Sequence, residues 1–180
     1  MNKYLNNKGM AKGIVVAIVT VVVIIAIAAI TFVWASVLPG CVTRDKAVEK
    51  YFQAVSKEDT NLYKNTCYTK KWQNNYGSQS IDDSIKDVFS FQSGATYGDV
   101  DFTAFEKLDK SYADNMTNVV RQTYGIDVKV SSISKVNFSV DTTFEGQKSK
   151  SGTLTRYCYK SGGKWYYLAD SDVLIQLGLE

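Results

Sequence analysis

The stretch IDVKVSSISKVNFSVDTTFEGQKSKSGTLTRYCYKSGGKWYYLA, residues 126–169, decides the fold. Ile126, Val128 and Val130 alternate with polar residues. After a slip at Ser131-Ser132-Ile133-Ser134 the alternation resumes with Val136, Phe138 and Val140, and Phe144 follows. A period of two is the mark of a strand with one buried face, and a slip of phase predicts a bend or bulge. Glu145-Gly146-Gln147-Lys148 reads as a turn, and residues 153–160 as a strand rich in β-branched and aromatic side chains. Ser161-Gly162-Gly163-Lys164 is a hairpin signal, because glycine reaches the positive φ values that a tight hairpin needs. Residues 165–169 return as the next strand. The segment as a whole predicts an antiparallel meander.

Upstream of it the period is helical. Thr43 stands where it can cap a helix reaching Lys57, with Ala47, Val48, Tyr51, Phe52 and Val55 on one side and Lys46, Glu49, Lys50 and Lys57 on the other. Asp59 or Thr60 opens a second helix, which holds Leu62, Tyr63, Thr66 and Cys67 and runs on through Trp72 to Asn75. Residues 74–78 read as a turn, and Ile81, Ile85, Val88 and Phe89 as a short amphipathic helix. Residues 93–98 look like a loop. Phe102, Phe105, Leu108, Tyr112, Met116, Val119, Val120 and Tyr124 step by three or four, predicting one long helix. Thr103-Ala104-Phe105-Glu106 has the capping-box spacing to open it, residues 109–114 offer a break, and Gly125 is a natural stop. The tail from Asp170 forms a short helix or caps the sheet. Helices followed by a meander specify an α+β domain, with helices packed on one face of a curved antiparallel sheet.

The first 40 of the 180 residues are of another kind. Residues 14–38 carry no charged side chain, and only Thr20, Thr31 and Ser36 interrupt an apolar run. As a helix this run spans about 37 Å at ~1.5 Å per residue, enough to cross a hydrocarbon core of roughly 30 Å. Lys3, Lys8 and Lys12 precede it, which places the N-terminus in the cytoplasm. The expected organisation is a cytoplasmic tail over 1–13, a transmembrane helix or signal anchor over 14–38 and an extracytoplasmic domain over 43–180. The first helix of that domain starts almost directly after the span.

The formal net charge is +3. Three of the 21 basic residues lie in the tail, so the rest of the chain balances 18 basic against 18 acidic residues. A neutral domain lacks the basic face that displaces counterions from phosphates, so no nucleic-acid partner is expected. Lys70-Lys71-Trp72 reads as a solvated helix face with one anchoring indole. The absence of histidine removes Ser-His-Asp and Cys-His catalysis and histidine-ligated metals. No cofactor or metal motif is present.

Leu38-Pro39-Gly40-Cys41 resembles a bacterial lipobox, with a leucine three residues before the cysteine and a small residue just before it. Pro39 departs from the usual small or hydroxyl residue, and the apolar run exceeds the roughly 7–15 residues of a cleaved signal. Lipidation of Cys41 and an uncleaved anchor therefore compete. The other two cysteines, Cys67 and Cys158, either pair as a disulfide outside the cytoplasm or remain two small buried hydrophobes.

Three stretches give the outer part a resemblance to the cone-shaped, cystatin-like α+β superfamily named after nuclear transport factor two. They are the opening helix Lys46-Ala47-Val48-Glu49-Lys50-Tyr51-Phe52-Gln53-Ala54-Val55, the strand pair around 126–160 and the closing Gly163-Lys164-Trp165-Tyr166. The resemblance implies a cone of helices on a curved sheet. Tyr112, Phe138, Tyr157, Trp165 and Tyr167 either line its interior or are simply core, the more common role of large aromatic side chains. The resemblance also implies dimers through the open sheet face. Ketosteroid isomerase-like members use a tyrosine and paired aspartates, but Asp99 with Asp101 and Asp170 with Asp172 read as loop and cap chemistry.

Three function classes follow. The leading one is a membrane-tethered, extracytoplasmic interaction or scaffold domain without catalytic activity, with a protein partner or a second copy. The order of tail, span and outer domain resembles the assembly-factor family of conjugative and type IV secretion systems, which makes a subunit of such an envelope machine the second. The third is a binder of small apolar ligands or an acid–base enzyme using the cone.

Overall fold

The computed structural model of the chain describes residues 39–75 and 78–179. The tail and span expected over 1–13 and 14–38 lie outside them. Among the described residues no helix is long and apolar enough to cross a membrane.

Helix α1 (Arg44–Ser56) buries Ala47, Val48, Tyr51, Phe52 and Val55, the side expected from the helical spacing. Thr43 occupies the N-cap position, but its side chain makes no cap bond. Helix α2 (Thr60–Cys67) is capped by Asp59, which accepts from the Leu62 amide at 2.9 Å. The predicted continuation is a separate turn of helix, α3 (Lys70–Asn75), started by the Thr69 hydroxyl accepting from the Trp72 amide. Helix α4 (Ser78–Phe91) seats Ile81, Ile85 and Phe89 in the core.

The next element differs from expectation. Residues 95–107 are a strand, β1 (Ala95–Lys107), and the helix α5 (Lys110–Tyr124) starts only after it. Asp109 caps α5 by accepting from the Ser111 amide at 2.8 Å, so the Thr103–Glu106 capping box does not form. Thr103 instead bonds the Asn137 carbonyl across the sheet. The reason lies in two register shifts in β1, one between Tyr97 and Val100 and one between Phe102 and Ala104. Each puts an additional residue into the strand, so side chains three apart fall on one face. Phe102 and Phe105 stack at 5.5 Å because of it. A twice-bulged strand imitates the spacing of a helix.

Strand β2 (Val130–Phe144) is the centre of the sheet. β1 pairs along one of its edges. The other edge takes β4 (Leu154–Ser161) over its first half and β3 (Gln147–Lys150) over its end. β5 (Lys164–Tyr167) closes the order β1-β2-β4-β5. Val136, Phe138 and Val140 point into the core, with Lys135, Asn137 and Ser139 between them half-buried on the opposite side. The predicted slip is the register shift between Val130 and Ser132. Ile126 and Val128 are buried, yet residues 126–129 join no ladder, since β4 ends opposite Val130. Both hairpins turn through consecutive positive φ values, at Glu145 and Gly146 and at Gly162 and Gly163. Helix α6 (Ser171–Leu177) ends the described chain.

The result is α+β, with helices packed against a strongly curved antiparallel sheet in the manner of a half-barrel. Thr117 of α5 ties helix to sheet by accepting from the Val130 amide at 3.0 Å. Phe138 is 0% exposed and meets the rings of Phe52 and Phe102. Phe138→Ala should therefore cost about 3–5 kcal/mol in urea unfolding, as for a filled core rather than a cavity wall.

Candidate functional site

The five candidate cone residues fall in different places. Phe138 and Tyr167 belong to one packed aromatic cluster. Tyr167 stacks on Tyr51 with ring centroids 3.9 Å apart, and Tyr51 in turn meets Phe52 and Tyr63. Trp165 lies on β5 with the Lys160 ammonium 5.7 Å from its ring centre. Tyr157 sits on β4 opposite Lys135, and Tyr112 near the start of α5, both half-buried. None of the five lines any of the cavities described below. Large rings placed at the centre of a close-packed interior fill the space that a cone would otherwise leave open.

Residues 39–41 form a strap on the β5 edge. The Cys41 amide donates to the Trp165 carbonyl at 2.7 Å, and the Trp165 amide to the Cys41 carbonyl at 2.8 Å. The Gly40 amide donates to the Asn65 carbonyl at 2.6 Å, and the Tyr166 hydroxyl to the Pro39 carbonyl at 3.1 Å. Gly40 has a φ of +89° and a Cβ there would lie 2.7 Å from both the Lys164 Cβ and the Tyr166 ring. Only glycine fits.

The strap turns the Cys41 side chain inward, where it is 4% exposed. Cys67 and Cys158 are equally buried, and all three are unbonded thiols. Burial pushes each thiol upward, and the three are near enough that a charge on Cys41 or Cys158 would raise the Cys67 thiol further. The fold thus gathers the three cysteines that the sequence scatters, and makes them poor nucleophiles.

Two clefts meet at the first bulge of β1. One, of about 410 Å³, lies between Gly98, Asp99 and Asp141 on one side and residues 148–150 on the other. The second, of about 520 Å³, adds Glu49 and Gln53 of α1. Lys150 bonds Asp101 directly, so the Asp99–Asp101 pair is partly neutralised. Among the described residues no group of three or more acidic or cysteine side chains is arranged to hold a metal.

A third cavity, about 220 Å³, lies among α2, α4, the end of α5 and the start of α6. Its floor is Ile81, Ile85 and Val88, with Tyr63, Tyr68 and Tyr124 as ring walls and Asp87, Asp170 and Asp172 around them. The Tyr124 hydroxyl reaches both Asp170 oxygens, at 2.9 and 3.0 Å, and Asp170 also accepts from the Val173 amide to cap α6. Burial raises the Asp170 carboxyl, against the lowering effect of those two donors. In the sequence Asp170 and Asp172 read as cap chemistry. The cap is real, but the cavity beside it depends on Tyr63 and Ile85, over eighty residues away, and no local signal joins them.

No family model and no curated protein matches the chain. The candidate sites therefore rest on this chain's own geometry.

Gly40→Ala should destabilise the domain by about 1–3 kcal/mol, the range for a residue forced into a sparsely populated backbone region. Thermal unfolding of the full chain in detergent measures it. Gly146→Ala should cost less, since nothing lies within 4 Å of that position.

Proposed function

We propose that the chain is a single-pass membrane protein, with tail 1–13 in the cytoplasm, an uncleaved span over 14–38 and a non-catalytic outer domain that docks a protein partner or a second copy. The strap carries this reading. Two residues after the apolar run ends, the backbone is already hydrogen-bonded to α2 and then to β5. The sequence has no Gly- or Ser-rich linker between the apolar run and this domain, which suits a scaffold kept close to a bilayer.

The same geometry favours the anchor over the lipoprotein. Lipobox processing would cut between Gly40 and Cys41, losing the Gly40–Asn65 and Pro39–Tyr166 bonds. It would also need the Cys41 thiol, which faces the core, to leave it for acylation. The curved sheet with helices against it agrees with the resemblance to the nuclear transport factor two-like superfamily, in which dimers form through the sheet.

On this chain the sheet side opposite Phe138 is polar. Lys135 pairs with Glu106, Thr155 with Asn137, and Lys150 with Asp101. Such a face suits a reversible contact, because exchangeable interfaces are about as polar as the rest of a surface.

Cys41→Ala should leave the protein in the membrane fraction, and intact-mass analysis of the wild type should show the N-terminal segment retained without added diacylglycerol. A mature chain starting at an acylated Cys41 would overturn the anchor. Sedimentation in mild detergent should show self-association that weakens as salt rises from low to physiological levels, since exposed ion pairs are screened over about 8–10 Å.

A further inference from the structure

The outer domain is neutral overall, but its charge is unevenly placed. Three lysines stand together at the end of the sheet that the strap covers. Lys164 opens β5 and pairs with Ser161, the last residue of β4. Ser161 pairs on its other side with Val130 and donates its hydroxyl to the Lys129 carbonyl at 2.8 Å. Lys160 precedes Ser161, and its ammonium lies 5.7 Å from the centre of the Trp165 ring. Lys129, Lys160 and Lys164 form no ion pair among the described residues. The acids near the strap and near Lys129 are engaged elsewhere. Asp127 pairs with Arg121 and Lys71, and Glu49 with Lys46. Asp45 sits in the first turn of α1, where the helix dipole favours it. Like charges without counter-charges repel, and an anionic surface relieves that repulsion.

A second observation is independent of charge. Val42 directly follows the buried Cys41 and is apolar, yet it is 73% exposed. Trp165, opposite Cys41 across the bridge, is only half-buried. Tryptophan is favoured where a bilayer meets water.

Chain reach supplies the third. Leu38 ends the apolar run, and Gly40 lies against Lys164, with a Cβ at position 40 falling 2.7 Å from the Lys164 Cβ. Two residues reach at most about 7 Å. The headgroup layer on each side of a bilayer has a similar depth, roughly 5–8 Å.

We propose that this basic end of the domain docks on anionic phospholipid headgroups of the bilayer that the chain spans. Lys129, Lys160 and Lys164 meet the phosphates, and Val42 and Trp165 enter the interface. The inference rests on the anchor reading and adds to it the surface that meets the lipid. Each lysine close to an anionic leaflet is attracted to it. Three of them around one hairpin end hold the domain in one orientation, where an anchor alone leaves it free to turn.

Amine-reactive footprinting of the full chain in nanodiscs, read by mass spectrometry, tests this. Discs of phosphatidylcholine alone are compared with discs containing phosphatidylglycerol. Lys129, Lys160 and Lys164 should be modified at least about threefold more slowly in the anionic discs, as expected of lysines drawn to a charged leaflet. Lys148, near the far end of β2, should react equally in both. High salt should remove the difference, because at 1 M charges are screened within about 3 Å. In a Lys160→Gln, Lys164→Gln double variant, Lys129 should return to its phosphatidylcholine rate with the melting curve unchanged. Val42→Asp should weaken the protection of all three lysines.

Equal rates in the two kinds of disc would overturn the inference, as would protection of Lys129 that neither variant changes. With the chain still in the disc, either result leaves the anchor reading standing. Inorganic polyphosphate that protects the lysines equally well in phosphatidylcholine discs would also overturn it, by assigning them to a soluble polyanion. A chain that migrates apart from both discs would overturn the anchor reading and this inference with it.

Discussion

Hydrogen bonding along both edges of β2 is the constraint on which the rest of the domain depends. Fifteen residues run through the middle of the sheet, with β1 on one side and β4 and then β3 on the other. A strand held on both edges cannot slip by one residue without turning Val136, Phe138 and Val140 out of the core. The neighbouring strand must follow its curvature, and β1 does so by taking up two bulges. These keep Tyr97, Val100, Phe102 and Phe105 in step with one face of β2 despite their uneven spacing. Arg44 at the start of α1 then closes over Phe105 and reaches Ser134 of β2, joining the first helix to the central strand.

The far edge of the sheet is handled differently. β5 is four residues long, and its outer side would present unpaired backbone groups. The strap covers that edge with a single bridge at Cys41 rather than another full strand. A short, covered edge is a common defence against pairing with other chains. The covering segment directly follows the apolar run in the sequence. Gly40 is the residue that lets this segment pass beneath Tyr166.

The interior has little room to spare. Tyr51, Phe52, Tyr63, Phe138 and Tyr167 form a continuous chain of ring contacts that fills the space between helices and sheet. Tyr159 closes the other side by donating to the Cys67 carbonyl at 2.8 Å and packing on Trp72 and Tyr166. Space remains where helices end against one another, because helix ends converge less closely than helix sides. Tyr124 bonds Asp170 there.

Periodicity in the sequence was enough to determine the meander, both glycine hairpin turns, α1, the start of the second helix and the α+β class, since each depends on residues close together in the chain. Asp59 as a cap and Gly125 as a stop were legible for the same reason. Residues 95–107 were not, because a spacing of three describes a helix face and a bulged strand equally well, and only the register against β2 separates them. The roles of Phe138 and Tyr167 as filling rather than lining were also decided in three dimensions, by which rings came to lie opposite them. So were the inward turn of Cys41, the gathering of the three thiols and the cavity at Asp170. Each joins residues tens of positions apart, and side-chain contacts across such distances are set by how the elements pack, not by any pattern within one element.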